Sequence, residues 1–177
     1  AYMAGVTEDY TDIFNLEFDK GRFMTPFEAA NGSNKVVLGY VLAENLFGSI
    51  DPIGKEVKIK GLDFQVIGVL KKEGATLINI FQFDEAALVS FNTAKKLINV
   101  RSKYSWGTSL NVKAMAGVNL DDLKDEITGI LRSARKIKPR EAENFAVNQL
   151  SMFTNLLEPI FSTMNVVGIF IGGFSIL

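Results

Sequence analysis

No histidine and no cysteine occur among the 177 residues. Without imidazole or thiolate, the Ser-His-Asp and Cys-His nucleophilic systems, haem ligation through imidazole, thiolate zinc sites and disulfides are all excluded. An excess of charge of either sign is missing as well, since 19 Lys and Arg stand against 20 Asp and Glu, a net charge of -1. A nucleic-acid binder needs clustered cations to displace counterions from phosphates, and no basic stripe runs through this chain, so no nucleic-acid partner is expected. Internal repeats, low-complexity tracts and Pro/Gly/Ser-rich linkers are absent, which predicts lobes joined directly near Gly74. Ala1 to Asp9 has neither the basic n-region nor the apolar h-region of a signal peptide. Export would then depend on a span preceding Ala1.

What the chain has instead is apolar content, 47% of residues with a mean hydropathy of +0.16, and it gathers at the C-terminus. Pro159 to Leu177 is nineteen residues without a charge. As a helix it would reach roughly 28 Å, close to the hydrocarbon thickness of a bilayer. A buried amphipathic helix would keep a polar stripe, whereas from Val166 onward only glycines and Ser175 interrupt the apolar residues. The expectation is a membrane span, in a fragment cut from a longer chain that starts without Met and stops inside the apolar run. Upstream of Pro159 the nearest basic residue is Arg140, with Glu141, Glu143 and Glu158 between. That flank lacks the Lys/Arg excess of a cytoplasmic side, so the residues before about Ser151 are expected outside the cytoplasm. Gly168 and Gly172 form a GxxxG that would suit close helix approach.

Before that run the patterns change from segment to segment. Val36 to Tyr40 reads as a buried strand, and Val41 to Phe47 as a short helix stopped by Gly48 in a left-handed cap. Asp51-Pro52-Ile53-Gly54 reads as a turn. Val57 and Ile59 alternate with Glu56, Lys58 and Lys60, the period of a half-buried strand; Gly61-Leu62-Asp63 turns the chain and Phe64 to Val69 returns beside it as a hairpin. Ala86 to Ser90 and Ser109 to Ala114 are candidate strands, with a short helix over Asn92 to Asn99 between them. Leu120, Leu123, Ile127, Ile130, Leu131 and Ala134 recur at helical spacing after a capping Asn119. Acidic residues crowd the start of that helix, and Arg132, Arg135 and Lys136 its end. This order complements the helix dipole and reads as a solvated face. Phe145 to Asn148 is a candidate returning strand, followed by a helix from about Ser151.

Four features invite a chemical reading. Gly48 to Lys55 has the outline of a phosphate loop, but with five residues between its glycines and Glu56 where a hydroxyl should meet magnesium; turns are the better use of these glycines. Glu8/Asp9 and Asp84/Glu85 are adjacent in sequence, so neither pair aims two carboxylates at one bond or metal. Asn31-Gly32-Ser33 matches a glycosylation acceptor, yet Asn-Gly also favours a turn. Phe14, Phe18, Phe23 and Phe27 read as core side chains, the alternative being an aromatic surface for an apolar ligand. No catalytic, cofactor-binding or metal-ligating residue is assigned, and no cofactor is expected.

Gly5-Val6-Thr7 with Tyr10, Gly21-Arg22-Phe23, Val36-Val37-Leu38-Gly39, Ala43 to Gly48, Asp51 to Lys55 and Phe64 to Leu70 follow one another in an order and approximate spacing that resembles the MacB-like periplasmic core domain of ABC-exporter permeases, running into an FtsX-type membrane region. The resemblance implies an α+β fold: a β-rich sabre-like lobe over 1–75, half of a porter-like α/β lobe over 76–150, and over 151–177 a stalk helix entering a transmembrane helix. It places the other half of the porter and a first membrane helix before Ala1. It also implies a homodimer or heterodimer of permeases in the inner membrane, with the soluble lobes periplasmic. The partners so implied are an ABC ATPase, as a separate subunit or a fused domain, and a periplasmic adaptor or lipoprotein carrier. The family's nucleotide-binding motifs do not occur here, so the expected role is mechanical and non-catalytic, coupling cytoplasmic ATP hydrolysis to export. The alternative is a binding module of a lipoprotein-releasing or cell-division-type permease that captures a protein or peptide. An enzyme would need two distant carboxylates, or a metal site, brought together by folding.

Overall fold

A computed structural model describes residues 1–73, 82–98 and 108–149. By contacts the chain divides into two compact units, Ala1–Lys113 and the residues from Ala114 on. The first is built on a six-stranded mixed sheet. Its strands are β1 (Tyr2–Val6), β2 (Phe18–Gly21), β3 (Lys35–Leu38), β4 (Glu56–Ile59), β5 (Leu62–Leu70) and β6 (Ala86–Ser90), in the order β1-β6-β3-β5-β2 with β4 also on β5. β1 runs parallel to β6 and β3 parallel to β5, while β3/β6, β2/β5 and β4/β5 are antiparallel. The sequence division near residue 75 therefore falls inside this sheet, because β6 lies between β1 and β3.

The sheet is covered on both faces, and the period of two decides which side chain goes where. Val36, Leu38, Phe64, Val66, Val69, Ala87 and Val89 share one face with Ala43 and Ala94, which belong to the helices α3 (Tyr40–Phe47) and α4 (Phe91–Leu97). Val37, Ile67, Leu70, Ala86 and Leu88 share the other with Val6, Met24 and Phe83. Pairing slips by one residue where Val36 meets Val66 but Val37 meets Gly68. This bulge at Ile67 lets Val66 and Val69, three apart, lie on the same face. Runs buried on both faces carry no alternation, which is why β3 and β6 read as continuous apolar stretches.

Two further helices complete the unit, α1 (Tyr10–Phe14) and α2 (Pro26–Asn31). Thr25 caps α2 in a reciprocal capping box with Glu28, and Pro26 sits in its first turn. β1, α1, β2 and α2 go beyond the elements predicted from sequence.

Other boundaries differ from expectation for local reasons. The β4–β5 turn is two residues, Lys60-Gly61, with φ of 48° and 86°, and Ile59 pairs directly with Leu62. Both central residues thus take the positive φ of a tight hairpin turn, and Leu62 and Asp63 belong to the strand. Gly48 ends α3 with φ 58° but ψ -120°, outside the left-handed helical cap geometry. The turn after it is closed by Lys55 N, which donates to Pro52 O at 3.1 Å. α4 begins at Phe91, one residue before the predicted start, because Ser90 caps it.

In the second unit the helix over Leu120–Ala134, α5, forms as predicted, with Asn119 Oδ1 accepting from Asp121 N at 2.8 Å. Neither 109–114 nor 145–148 is a strand. β-forming residues make a ladder only when a neighbour supplies the hydrogen bonds, and among the described residues neither segment has one. The expected stalk (about 151–164), the span from Pro159 to Leu177 and the GxxxG pair lie outside the described residues; among the described residues no helix is long and apolar enough to cross a membrane.

Candidate functional site

Each chemical candidate has a place in this frame. The glycine-spaced stretch 48–55 spends its N–H groups internally: Gly48 N donates to Glu44 O, Ile50 N to Phe47 O and Gly54 N to Val66 O. Pro52 has no N–H, and Ile53 N reaches Asp51 Oδ1 at 3.4 Å. A phosphate cradle needs free convergent donors, so the stretch serves as the connection from α3 to β4. Asn31-Gly32-Ser33 is a helix end: Gly32, at φ 62° and ψ 48°, caps α2, and Ser33 N returns to Glu28 O at 3.0 Å.

Glu8 and Asp9 lie exposed in the turn before α1. Asp84 Oδ1 accepts from Glu73 N at 3.1 Å, while Glu85 is exposed. Among the described residues no group of three or more His, Cys, Asp or Glu could hold a metal ion. Burial, with Asp84 adding its negative charge, pushes the Glu73 carboxyl above its ordinary range.

Phe14, Phe18 and Phe23 pack against the second face of the sheet, whereas Phe27 stands 77% exposed on α2. Tyr10 and Phe14 meet at 4.6 Å between ring centroids, and Phe14 meets Phe83 edge-on at 5.5 Å. Burial in this aromatic group pushes the Tyr10 hydroxyl up to about 12. The core reading thus applies to three of the four phenylalanines.

Three polar arrangements were not predicted from sequence. Arg22 grips Glu28 through two parallel bonds, Nη1 to Oε2 at 2.7 Å and Nη2 to Oε1 at 2.9 Å, while Thr25 N also donates to Glu28 Oε2. The Arg22 hydrogen bonds hold the Glu28 carboxyl down to about 2, against the opposing effect of burial. Thr25-Pro26-Phe27-Glu28 carries the capping-box spacing, so this site was legible in the residues. Second, Lys113 Nζ donates to Asp12 O and to Asn15 Oδ1, both at 2.7 Å, across about a hundred residues of chain; no local signal marks such a contact. Third, a cavity of about 260 Å³ is lined by Asn15, Leu16, Glu17 and Leu70 to Glu73. Glu17 and Lys71 on its wall neutralise each other at 2.7 Å, and hydrogen bonding to Lys71 holds the Glu17 carboxyl below its usual range.

On α5 the C-terminal arginines do more than face solvent. Arg132 Nη2 donates to Lys138 O at 2.7 Å and Glu141 O at 3.0 Å, and Arg135 Nη1 to Asn144 O at 3.0 Å with its guanidinium over the Phe145 ring. They fold the segment after the helix back onto its end.

The polar groups therefore tie elements together, and none of the arrangements described converges on a reacting bond. Comparison with known proteins gives this geometry a context. The family model for the MacB-like periplasmic core domain matches residues 1–130. A macrolide export ATP-binding/permease protein, MacB of Azoarcus sp. strain BH72, is 26% identical over 165 residues, which is 92% of this chain and 24% of that protein. The pyoverdine export ATP-binding/permease protein PvdT of Pseudomonas aeruginosa is 36% identical over 76 residues, 43% of this chain and 12% of the relative. The chain thus spans about a quarter or less of these curated relatives. Among solved structures, the periplasmic region of MacB from Actinobacillus actinomycetemcomitans superposes with a TM-score of 0.65 at 21% identity, over 88% of this chain and 64% of that one. The extracellular domain of the transporter YknZ from Gram-positive bacteria gives 0.55 at 28% identity, over 77% and 65%.

Proposed function

As the chain belongs to the MacB-like periplasmic core domain family, we propose that it is the extracytoplasmic part of an ABC-transporter permease and that its work is mechanical, passing motion driven by cytoplasmic ATP hydrolysis to the export machinery outside the membrane. The observation that carries this reading is the family match over residues 1–130, which takes in the whole six-stranded sheet. Relatives named as export ATP-binding/permease proteins support a transport context. Their names differ in cargo, macrolide against pyoverdine, so no cargo is assigned here.

In this reading the sheet unit is the sabre-like lobe, and α5 with the segments on either side of it is half of a porter-like lobe, whose partner strands would come from elsewhere in the full-length protein. Residues from about Ser151 would form a stalk and Pro159 to Leu177 the start of a membrane helix, with the permease acting as a dimer in the inner membrane beside its ATPase and an adaptor or carrier. Pro159, lacking an N–H and crowding the preceding turn, would be the bend between stalk and span.

The first test is mass spectrometry of proteins that copurify with the full-length chain from gently solubilised membranes. An ABC ATPase, recovered as a partner or found fused to the chain, is the expected result. Its absence under conditions that preserve known complexes would sink the reading. Pro159→Ala in the full-length protein is expected to change export per ATP hydrolysed; unchanged export at an unchanged ATPase rate would remove the hinge.

A further inference from the structure

α1 is a five-residue helix with no basic residue in its own last turn. Its end is closed from far away in sequence. Asn15, the left-handed cap residue at φ 50° and ψ 46°, returns its N–H to Thr11 O, and the Lys113 ammonium donates to Asp12 O and to Asn15 Oδ1, both at 2.7 Å. A cation on the last carbonyls of a helix is favourably placed, and charge-assisted bonds of this length are among the stronger ones. Lys113 is also the last residue of the first compact unit. Just before it two apolar side chains stand largely in solvent, Leu110 at 78% and Val112 at 51% exposure. Among the described residues, the hydrogen bonds joining 108–113 to the rest of the unit are these two. α1 itself is anchored, since Tyr10 and Phe14 pack with Phe83 against the sheet.

We propose that Lys113 is a clasp that fixes the point where the chain leaves the sheet unit, so that displacement of the following residues reaches α1, and through its aromatic rings the sheet, instead of being absorbed by a free linker. The role in transmission rests on the mechanical reading given above; the clasp itself does not. Lys113 is a positioning residue here, acting through the end of α1. A chain without cysteine allows a direct test on the full-length protein, with nitroxide labels at Lys58→Cys on β4 and Ser109→Cys on the segment leading to Lys113, both in the first unit, and hydrogen exchange and export per ATP read in parallel. In Lys113→Met the distribution of label distances is expected to broaden, and exchange at the Asn15 and Leu16 amides, both bonded to Thr11 O, to speed up about tenfold, while the amides of β3 and β6 keep their protection. Lys113→Arg, which keeps the cation, is expected to restore most of both. A label distribution and exchange pattern in Lys113→Met matching the parent would overturn the clasp whatever transport does. A broadened distribution with unchanged export per ATP would keep the clasp and overturn its part in transmission.

Discussion

The two units start from similar apolar patterning and end differently. Between Ala1 and Lys113 alternate residues of adjacent strands face two layers at once, and Val36, Val37, Phe64, Leu88 and Val89 are sealed from solvent. In the second unit no described residue from 114 to 149 is buried, and Leu120 and Ile130 of the most regular helix are 45% and 60% exposed. Apolar patterning is legible in both, as unbroken runs and alternation in the first unit and as helical spacing in the second. The difference is that a sheet strand with partners on both edges brings non-local side chains together, whereas a helix offers one apolar stripe that needs a second surface to cover it. α5 is held at its ends instead, by the Asn119 cap and by Arg132 and Arg135 reaching the chain that follows.

This contrast can be broken most directly by truncating one apolar side chain in each unit. Phe64→Ala is expected to cost about 3–5 kcal/mol, since it empties the middle of one face of the sheet, while Ile130→Ala on α5 should cost less than about 1 kcal/mol. Urea denaturation of both variants reads the difference; equal losses would show that the second unit has a core of its own.

A smaller effect concerns Glu28, which locks the start of α2 to Arg22. In the folded chain its carboxyl stays charged down to about 2, against an ordinary value of 4.5. The lowered value means that this stabilisation is complete above pH 4.5 and disappears as the pH falls toward 2. Arg22→Met should flatten that part of the stability profile of the sheet unit, visible in thermal unfolding between pH 5 and 2.5, and leave exchange on α5 unaffected. A profile as steep as the parent's would mean that the acid sensitivity arises elsewhere.

The smallest expected effect is a gain. Lys60 occupies a left-handed conformation that a long side chain adopts at a cost, and Asn-Gly is the preferred pair for such a turn. Lys60→Asn should stabilise the β4–β5 hairpin by up to about 1 kcal/mol, measured from the denaturation midpoint at unchanged slope.

Elements with strong internal patterning were legible before folding: β3 and β6 as unbroken apolar runs, β4 by alternation, α3 by its glycine stop and α5 by three- and four-residue spacing. β2, with Phe18 as its apolar residue, and α1, only five residues long, carry too little pattern to be read alone; they exist because β5 offers an edge and Phe83 a surface. Ser109 to Ala114 shows the opposite error, β-forming residues that join no ladder among the described residues. Of the polar arrangements, the Thr25/Glu28 box was present in the residues as a spacing, while the Lys113 contact joins groups about a hundred positions apart and leaves no local trace.

Composition alone excluded imidazole and thiolate chemistry, because reactions need particular side chains and these are absent from the list. Local order alone set the turns, caps and periods, which depend on neighbours within about four residues. Tertiary structure decided the rest: that β6 would enter the sheet between β1 and β3, that a bulge at Ile67 would keep Val66 and Val69 on one face, and that a lysine at the end of the first unit would close a helix near the start of the chain. Each of these depends on pairing between distant segments, and the free energy of that pairing is a property of the assembled sheet that no short window of residues contains.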